Sequence, residues 1–254
     1  MFRKRKVYFC LVALLLCSSF AKANPFDKLR QKGWEIEVRA GVNLGGVSPI
    51  PFPVEIRKIH KLNPKFNGQI GLIATNWLNK HWGLALGLGF EQKGMESLAS
   101  VKDYQIEIAQ QGNVLSGAWT GKVRSSYSAS YVTLPIVLVY RFNSSIKVNA
   151  GLYAGYRFEG DFSGDVYDGY FRQGSSIGEK IDFGKETKTP YSFKEYLAPL
   201  EIGFEMGGSA QVFKRFQIFL DLKYGFNGIF KGNFKAFPFK MHPVYLGTGF
   251  GYRF

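Results

Sequence analysis

Eight stretches of the chain alternate apolar and polar residues with a period of two, at 34–44, 66–76, 82–92, 127–142, 145–158, 197–212, 216–226 and 244–254. The even-numbered positions are the apolar ones: Trp34, Ile36, Val38, Ala40 and Val42; Leu84, Leu86, Leu88 and Phe90; Ile218, Leu220, Leu222 and Tyr224. A strand sends successive side chains to opposite faces, so each stretch predicts one apolar face and one polar or minimal face. Such a sheet suits lipid outside and a hydrated or filled interior, and in lipid it must close, because an open edge would leave backbone groups unpaired. The pattern predicts an all-β fold: an eight-stranded antiparallel up-and-down transmembrane β-barrel with long outer loops.

The connections alternate in length. Tight turns are expected at 78–81, 143–144 and 214–215, and long loops at 45–65, 93–126, 159–196 and 227–243. With both termini in the periplasm, the turns fall inside and the loops outside. Trp34, Trp82, Tyr140, Phe142, Phe216, Tyr252 and Phe254 then gather at the periplasmic strand ends. Phe66, Phe90, Tyr156, Phe158, Tyr224 and Phe226 gather at the outer ends, which makes a double aromatic girdle. Gly83, Gly87, Gly89, Gly151, Gly155, Gly247, Gly249 and Gly251 occupy odd, inward positions, as a narrow, tightly curved barrel requires. Pro135 lies mid-strand, where its missing N–H predicts a bulge or an end of regular pairing.

The beginning of the chain changes the picture by setting a compartment. Arg3, Lys4, Arg5 and Lys6 precede an apolar run at 7–16 and then Ala21-Lys22-Ala23, the signature of a secretory signal peptide cleaved after Ala23. The expected organisation is a signal peptide at 1–23, a short periplasmic segment at 24–33 and the barrel at 34–254. Cys10 and Cys17 fall in the removed segment, so the mature chain would hold no disulfide, thiolate metal site or cysteine nucleophile. The full chain carries +14, and residues 1–23 hold five Lys/Arg and no acid, which leaves +9 after processing. In an exported barrel that excess points to lipid phosphate, lipopolysaccharide headgroups or an acidic glycan rather than nucleic acid.

Odd positions bring twelve charges into the interior: Glu35, Glu37, Glu91, Glu201, Glu205 and Asp221 against Arg39, Arg141, Lys147, Arg157, Lys223 and Arg253. An eight-stranded barrel is just wide enough for side chains to fill, and buried charges need partners. The expected interior is a charge-compensated plug, with a narrow polar path as the alternative. Glu201 and Glu205 on one strand face are too unspecific to indicate acid–base catalysis.

Catalytic signals are weak elsewhere. His60 and His242 fall in different outer loops and His81 in a periplasmic turn, none beside an obvious serine, so they are expected to be solvated loop histidines. Asp161, Asp165 and Asp168 lie among glycines without calcium-loop spacing, which predicts a mobile polar loop. Pro49, Pro51 and Pro53 stiffen the first loop. No glycine loop leads from a strand into a helix, so nucleotide binding has no support. The chain is expected to be no enzyme and to use no cofactor or metal.

Tyr131-Val-Thr-Leu-Pro-Ile-Val-Leu-Val-Tyr-Arg-Phe142, the following Gly151-Leu-Tyr-Ala-Gly155 and the aromatic C-terminus resemble the outer-membrane β-barrel family of Bacteroidetes-type bacteria called PorT-like. The resemblance spans the mature chain and implies fold and location; it also makes Pro135 an expected residue of that strand. One kind of member supports type IX secretion and gliding, which makes a secretion or assembly accessory the alternative to a barrel acting through its outer loops in surface binding or envelope integrity. A small pore and a lipid-modifying hydrolase rank below both. Phe250, Tyr252 and Phe254 resemble the terminal signal read by the barrel-assembly machinery. The expected partners are that machinery, outer-membrane lipid and lipopolysaccharide, and an unidentified surface or secretion partner.

Overall fold

The alternating stretches do pair as strands, and eight of them close on one another. The computed structural model describes residues 29, 32–110, 113–184, 187–232, 234 and 239–254, without the side chains of 107–110 and 113–116. The expected signal peptide, and most of 24–33, lie outside the described residues. Eleven strands follow in chain order: β1 (Trp34–Pro49), β2 (Ile56–Pro64), β3 (Asn67–Trp77), β4 (Trp82–Gln110), β5 (Asn113–Arg141), β6 (Ile146–Gln173), β7 (Lys180–Phe183), β8 (Thr189–Ser192), β9 (Leu200–Gln211), β10 (Phe216–Gly225) and β11 (Met241–Arg253). The ring runs β1, β3, β4, β5, β6, β9, β10, β11 and back to β1, every neighbour antiparallel. β2 adds to β4, and β7 and β8 add to β6, outside the ring.

Two of the three periplasmic turns are set by asparagine. Asn79 Oδ1 accepts the N–H groups of His81 and Trp82, both at 2.9 Å, and Asn143 Oδ1 accepts those of Ser145 and Ile146 at 2.8 and 2.9 Å. These side chains replace the backbone partners that a tight reversal leaves open. Between the turns and the outer boundary, Leu84, Leu86, Leu88, Leu134, Ile136, Leu138, Ile218, Leu220 and Leu222 point outward and are exposed, as their even positions require. Ile36 is the exception: it is buried at the periplasmic end, where Phe254 N–H donates to its carbonyl at 3.1 Å. Aromatic rings meet at both boundaries. Tyr140 packs against Trp82 and Phe142, and Tyr252 against Phe216 and Phe254, at 4.7–5.2 Å between ring centroids; Phe90 meets Phe158 at 5.0 Å.

Pro135 produces neither a bulge nor an end of pairing. Leu86 pairs with Ile136 and Gly89 with Thr133, so the register with β4 is unchanged across two missing rungs, and on the β6 side Pro135 stays paired with Tyr153. The ring of Pro135 sits over Gly87, where a Cβ would lie 2.7 Å from Pro135 Cγ. One missing donor is tolerated because the opposite residue yields its side-chain space.

The long connections depart most from expectation. Residues 93–110 and 113–126 lie not in a loop but on paired strands that carry β4 and β5 far beyond the membrane, and β6 continues through 159–173. Beyond Gln92 the 18 further residues of β4 would rise roughly 45 Å at the usual strand rise and barrel tilt. Their polarity is inverted. Below the outer boundary the outward positions are apolar; above it Met95, Val101, Val123, Tyr127 and Ala129 face inward into a core, while Glu96, Arg124 and Ser128 face water. A strand that leaves lipid for water must exchange its apolar face in this way.

Bulges re-aim the pattern further. Ser130 pairs with Glu159 but Tyr131 with Arg157, which leaves Phe158 extra, and past it Phe162 and Val166 point inward from even positions. A second bulge at 102–103, where Asp103 has φ 54° and donates its N–H to Thr120 Oγ1 at 3.1 Å, turns Tyr104 and Ile106 into the core. Asp161, Asp165 and Asp168 therefore lie on β6, not on a mobile loop. The resulting cap holds Trp119, Phe162, Phe171, Phe193 and Leu197 fully buried. Each such large side chain contributes about 1.5–3 kcal/mol.

Candidate functional site

Two regions concentrate chemistry, the barrel interior and the extracellular cap. At the periplasmic end Glu35 is surrounded by cations, with Lys147 Nζ at 2.7 Å, Arg141 Nη2 at 3.2 Å and Arg253 Nη1 at 3.8 Å. Trp77 Nε1 donates to the same carboxylate at 3.3 Å, and the Arg141 guanidinium stacks on the Trp77 ring. Lys147 also lies 3.7 Å from Glu37, which pairs with Arg39; Arg39 reaches Asp221 at 3.0 Å. Higher up, Lys223 pairs with Glu91 and lies 3.3 Å from Glu205, and Thr133 donates to Glu91 at 3.0 Å.

The topmost ion pair of the barrel interior joins Glu201 to Lys93, which stands on β4 and not in the loop expected at 93–126. Lys93 is 1% exposed and its ammonium lies 4.9, 5.2 and 5.6 Å from the ring centres of Tyr131, Tyr153 and Tyr245, while Tyr153 donates to Glu201 at 2.6 Å. Attraction to three ring faces adds to the charge pairing of this desolvated ammonium. Its odd number, continuous with Glu91, was the available signal. Arg157 behaves otherwise: its guanidinium donates to the carbonyls of Leu197 and Ala198, both at 3.0 Å, and ties the cap to the barrel mouth. With Lys93 in its place, six acids still face six bases in the ion-pair network.

Side chains fill the remaining space. Between the charge layers lie two cavities of about 20 and 40 Å³, each the size of one or a few waters. Above Lys93, the cap core of Tyr127, Phe162, Phe193, Leu197, Ile229 and Met241 closes the barrel mouth with apolar groups. Glu201 and Glu205 are each engaged by a lysine, so the pair of carboxylates forms a structural layer and not an acid–base dyad.

The histidines are not solvated loop residues throughout. His242 is buried, stacked on Tyr224, with Nδ1 2.9 Å from the Gly225 carbonyl oxygen. His81 is exposed, with Nδ1 3.0 Å from the Arg141 carbonyl oxygen. His60 stands beside a serine after all, Nε2 2.7 Å from Ser100 Oγ, because β2 adds to the extended edge of β4. The pair lies on an exposed face, and among the described residues no carboxylate orients His60, so the third member of a triad is missing. Asp161 accepts from Ser163 at 2.6 Å and Asp168 pairs with Lys122 at 2.7 Å; the aspartates do not converge. Among the described residues no three metal-ligating side chains cluster. Phe250 is 68% exposed on the lipid side of β11, followed by Tyr252, whose hydroxyl accepts from Arg215 Nη1 at 3.0 Å, and Phe254.

A family model described as outer membrane protein beta-barrel domain matches residues 20–231. The chain belongs to that family. It is an outer-membrane β-barrel protein, and its closed antiparallel ring is the architecture such a protein needs. Solved structures similar to the barrel include Ail, the attachment invasion locus protein of Yersinia pestis (15% identity, 87% of this chain and 97% of that chain, TM-score 0.40). Neisserial surface protein A (12%, 87% and 97%, 0.32) and OprG from Pseudomonas aeruginosa (13%, 87% and 95%, 0.32) are further examples. Superpositions at these values carry no inference about role. Among curated proteins the barrel has no match.

Proposed function

We propose that this barrel is a non-enzymatic, closed outer-membrane protein that acts through its extracellular cap, in surface binding or envelope integrity. The observation that carries the reading is the pairing of two seals, a charge-compensated interior and an apolar cap core, with a folded extracellular structure above them. A barrel with no passage through it and a built outer surface offers that surface for recognition. The strand 131–142 supports a narrower PorT-like kinship within the family.

The test is a cap-less barrel in which 95–127 and 160–196 are each replaced by a short turn. It should insert and shift its gel mobility on boiling, since the ring pairs below these segments. It should fail to restore the envelope phenotype of a deletion strain that the full chain restores. Full complementation by the cap-less barrel refutes the reading. A deletion strain with an altered secreted-protein profile and an intact envelope would favour the secretion accessory instead.

A further inference from the structure

The periplasmic end of the barrel holds more positive charge than its acids balance. Arg141 and Arg253 close β5 and β11, strands that stand opposite one another in the ring, and Lys147 lies on β6, opposite β1. All three converge on Glu35, the two guanidiniums on the same carboxylate oxygen. With Arg39, the lower interior counts four cations against three acids, Glu35, Glu37 and Asp221. The excess sits at the mouth: the Arg141 and Arg253 side chains are 31% and 28% exposed, while Arg39, Glu37 and Asp221 are more deeply buried. Arg141 donates one side-chain hydrogen bond, to Glu35, and a guanidinium has five N–H groups to give.

The rim adds to the surplus. Lys32, Lys80, Lys214 and Arg215 are exposed there and form no ion pair among the described residues, and none of the three turns carries an acidic side chain. Eight cations thus face three acids at this end, or four acids if the chain-terminal carboxylate of Phe254 is counted. Arg215 leans outward, donating to the Tyr252 hydroxyl at 3.0 Å. Leu78 and Phe213, 67% and 69% exposed, share the turns of Lys80 and Lys214.

Geometry selects the ligand. Glu35, Arg141, Lys147 and Arg253 hold odd, inward positions, so phospholipid headgroups, which stand against the outer wall, do not reach them. Eight strands about 4.8 Å apart and tilted about 45° make a mouth roughly 17 Å across. Cations spread over that width exceed the reach of one small anion and suit a chain that presents several. A basic surface with apolar side chains between its cations suits a peptide bearing both carboxylates and apolar residues better than a polyuronate, which brings charge and hydroxyls alone. We propose that the periplasmic mouth docks an acidic, extended segment of a periplasmic protein, one of whose carboxylates binds Arg141 and Arg253 beside Glu35. The proposal does not rest on the reading that the barrel acts through its cap.

The experiment uses the full barrel in zwitterionic detergent and three probes: a labelled peptide rich in glutamate and leucine, the same peptide with glutamine for glutamate, and a polyuronate oligosaccharide of equal charge. The acidic peptide should bind saturably and weaken with salt, and the other two should bind less well. R141Q/R253Q should weaken binding of the acidic peptide by about tenfold, as the loss of two partly exposed charge pairs would, with the gel mobility shift retained. K80Q/K214Q, at exposed turn positions, should weaken it too and serves if the arginine variant fails to fold. Glu35→Gln should bind severalfold more tightly, because an incoming carboxylate then has no competitor for the two guanidiniums. Equal affinity in the folded R141Q/R253Q barrel overturns the proposal, and so does unchanged affinity in Glu35→Gln. Equal binding of the polyuronate shows bare charge attraction, and equal binding of the glutamine peptide shows apolar adsorption; either also overturns it. The cap-less barrel should bind the acidic peptide as the full barrel does, and loss of binding there would move the site to the cap and overturn the proposal while leaving the complementation result standing.

Discussion

Replacing Lys93 by Met removes the cation of the most buried ion pair and leaves Glu201, 3% exposed, with Tyr153 as its remaining polar partner. Breaking a buried pair by removing one side costs about 3–5 kcal/mol, because the surviving charge stays desolvated. Methionine keeps much of the volume between Tyr131, Tyr153 and Tyr245, so little of the loss comes from a cavity. Lys93→Met/Glu201→Gln should recover most of the loss, since no unpaired charge remains. The assay is reversible guanidinium unfolding in lipid vesicles followed by tryptophan fluorescence. With a slope of about 4 kcal/mol per molar, the single variant should lower the midpoint by roughly 1 M. A shift below about 0.2 M, on the same slope, would show that Glu201 is hydrated. A double variant no better than the single would show that the penalty is not electrostatic.

Gly87→Leu should destabilise the barrel by about 1–3 kcal/mol through collision with Pro135, while Pro135→Ala at the same rung should cost less; denaturant midpoints of the two variants check this order. Deleting Phe254, the last aromatic after Phe250 and Tyr252, should reduce the amount of heat-modifiable protein in outer-membrane fractions, and normal assembly would show that the residue only decorates the interface. Purified barrel should hydrolyse p-nitrophenyl esters no faster than its His60→Ala variant; a clear difference would make the His60 and Ser100 pair catalytic and the protein an enzyme.

The membrane-spanning part was legible in the sequence because one rule, apolar at even positions, holds from Trp34 to Arg253 wherever lipid is outside. β1, β3, β4 and β10 begin within one residue of their expected starts. The cap was not legible for a physical reason. At the outer boundary the apolar residues change faces, so a strand read as outward-apolar stops at Gln92 and begins again at Tyr127, although the backbone continues. The bulges at 102–103 and at Phe158 then shift the phase again, and no single period covers the extension. Lys93 was missed with the segment it begins, and His60 was separated from Ser100 because β2 had no alternation to reveal it. Arg157 had the right parity but stands at the barrel mouth, where the carbonyls of Leu197 and Ala198 come within reach before any carboxylate.

Paired charges fill this barrel inside and an apolar cap covers it above. Single-channel recording of the purified full chain in planar bilayers tests it most directly. The protein should insert without any steady porin-sized conductance, with the cap or without it, because the layers from Glu35 to Lys223 still fill the interior. A stable open channel in the full chain, with conductance proportional to salt, would contradict it and show that the interior charges line water.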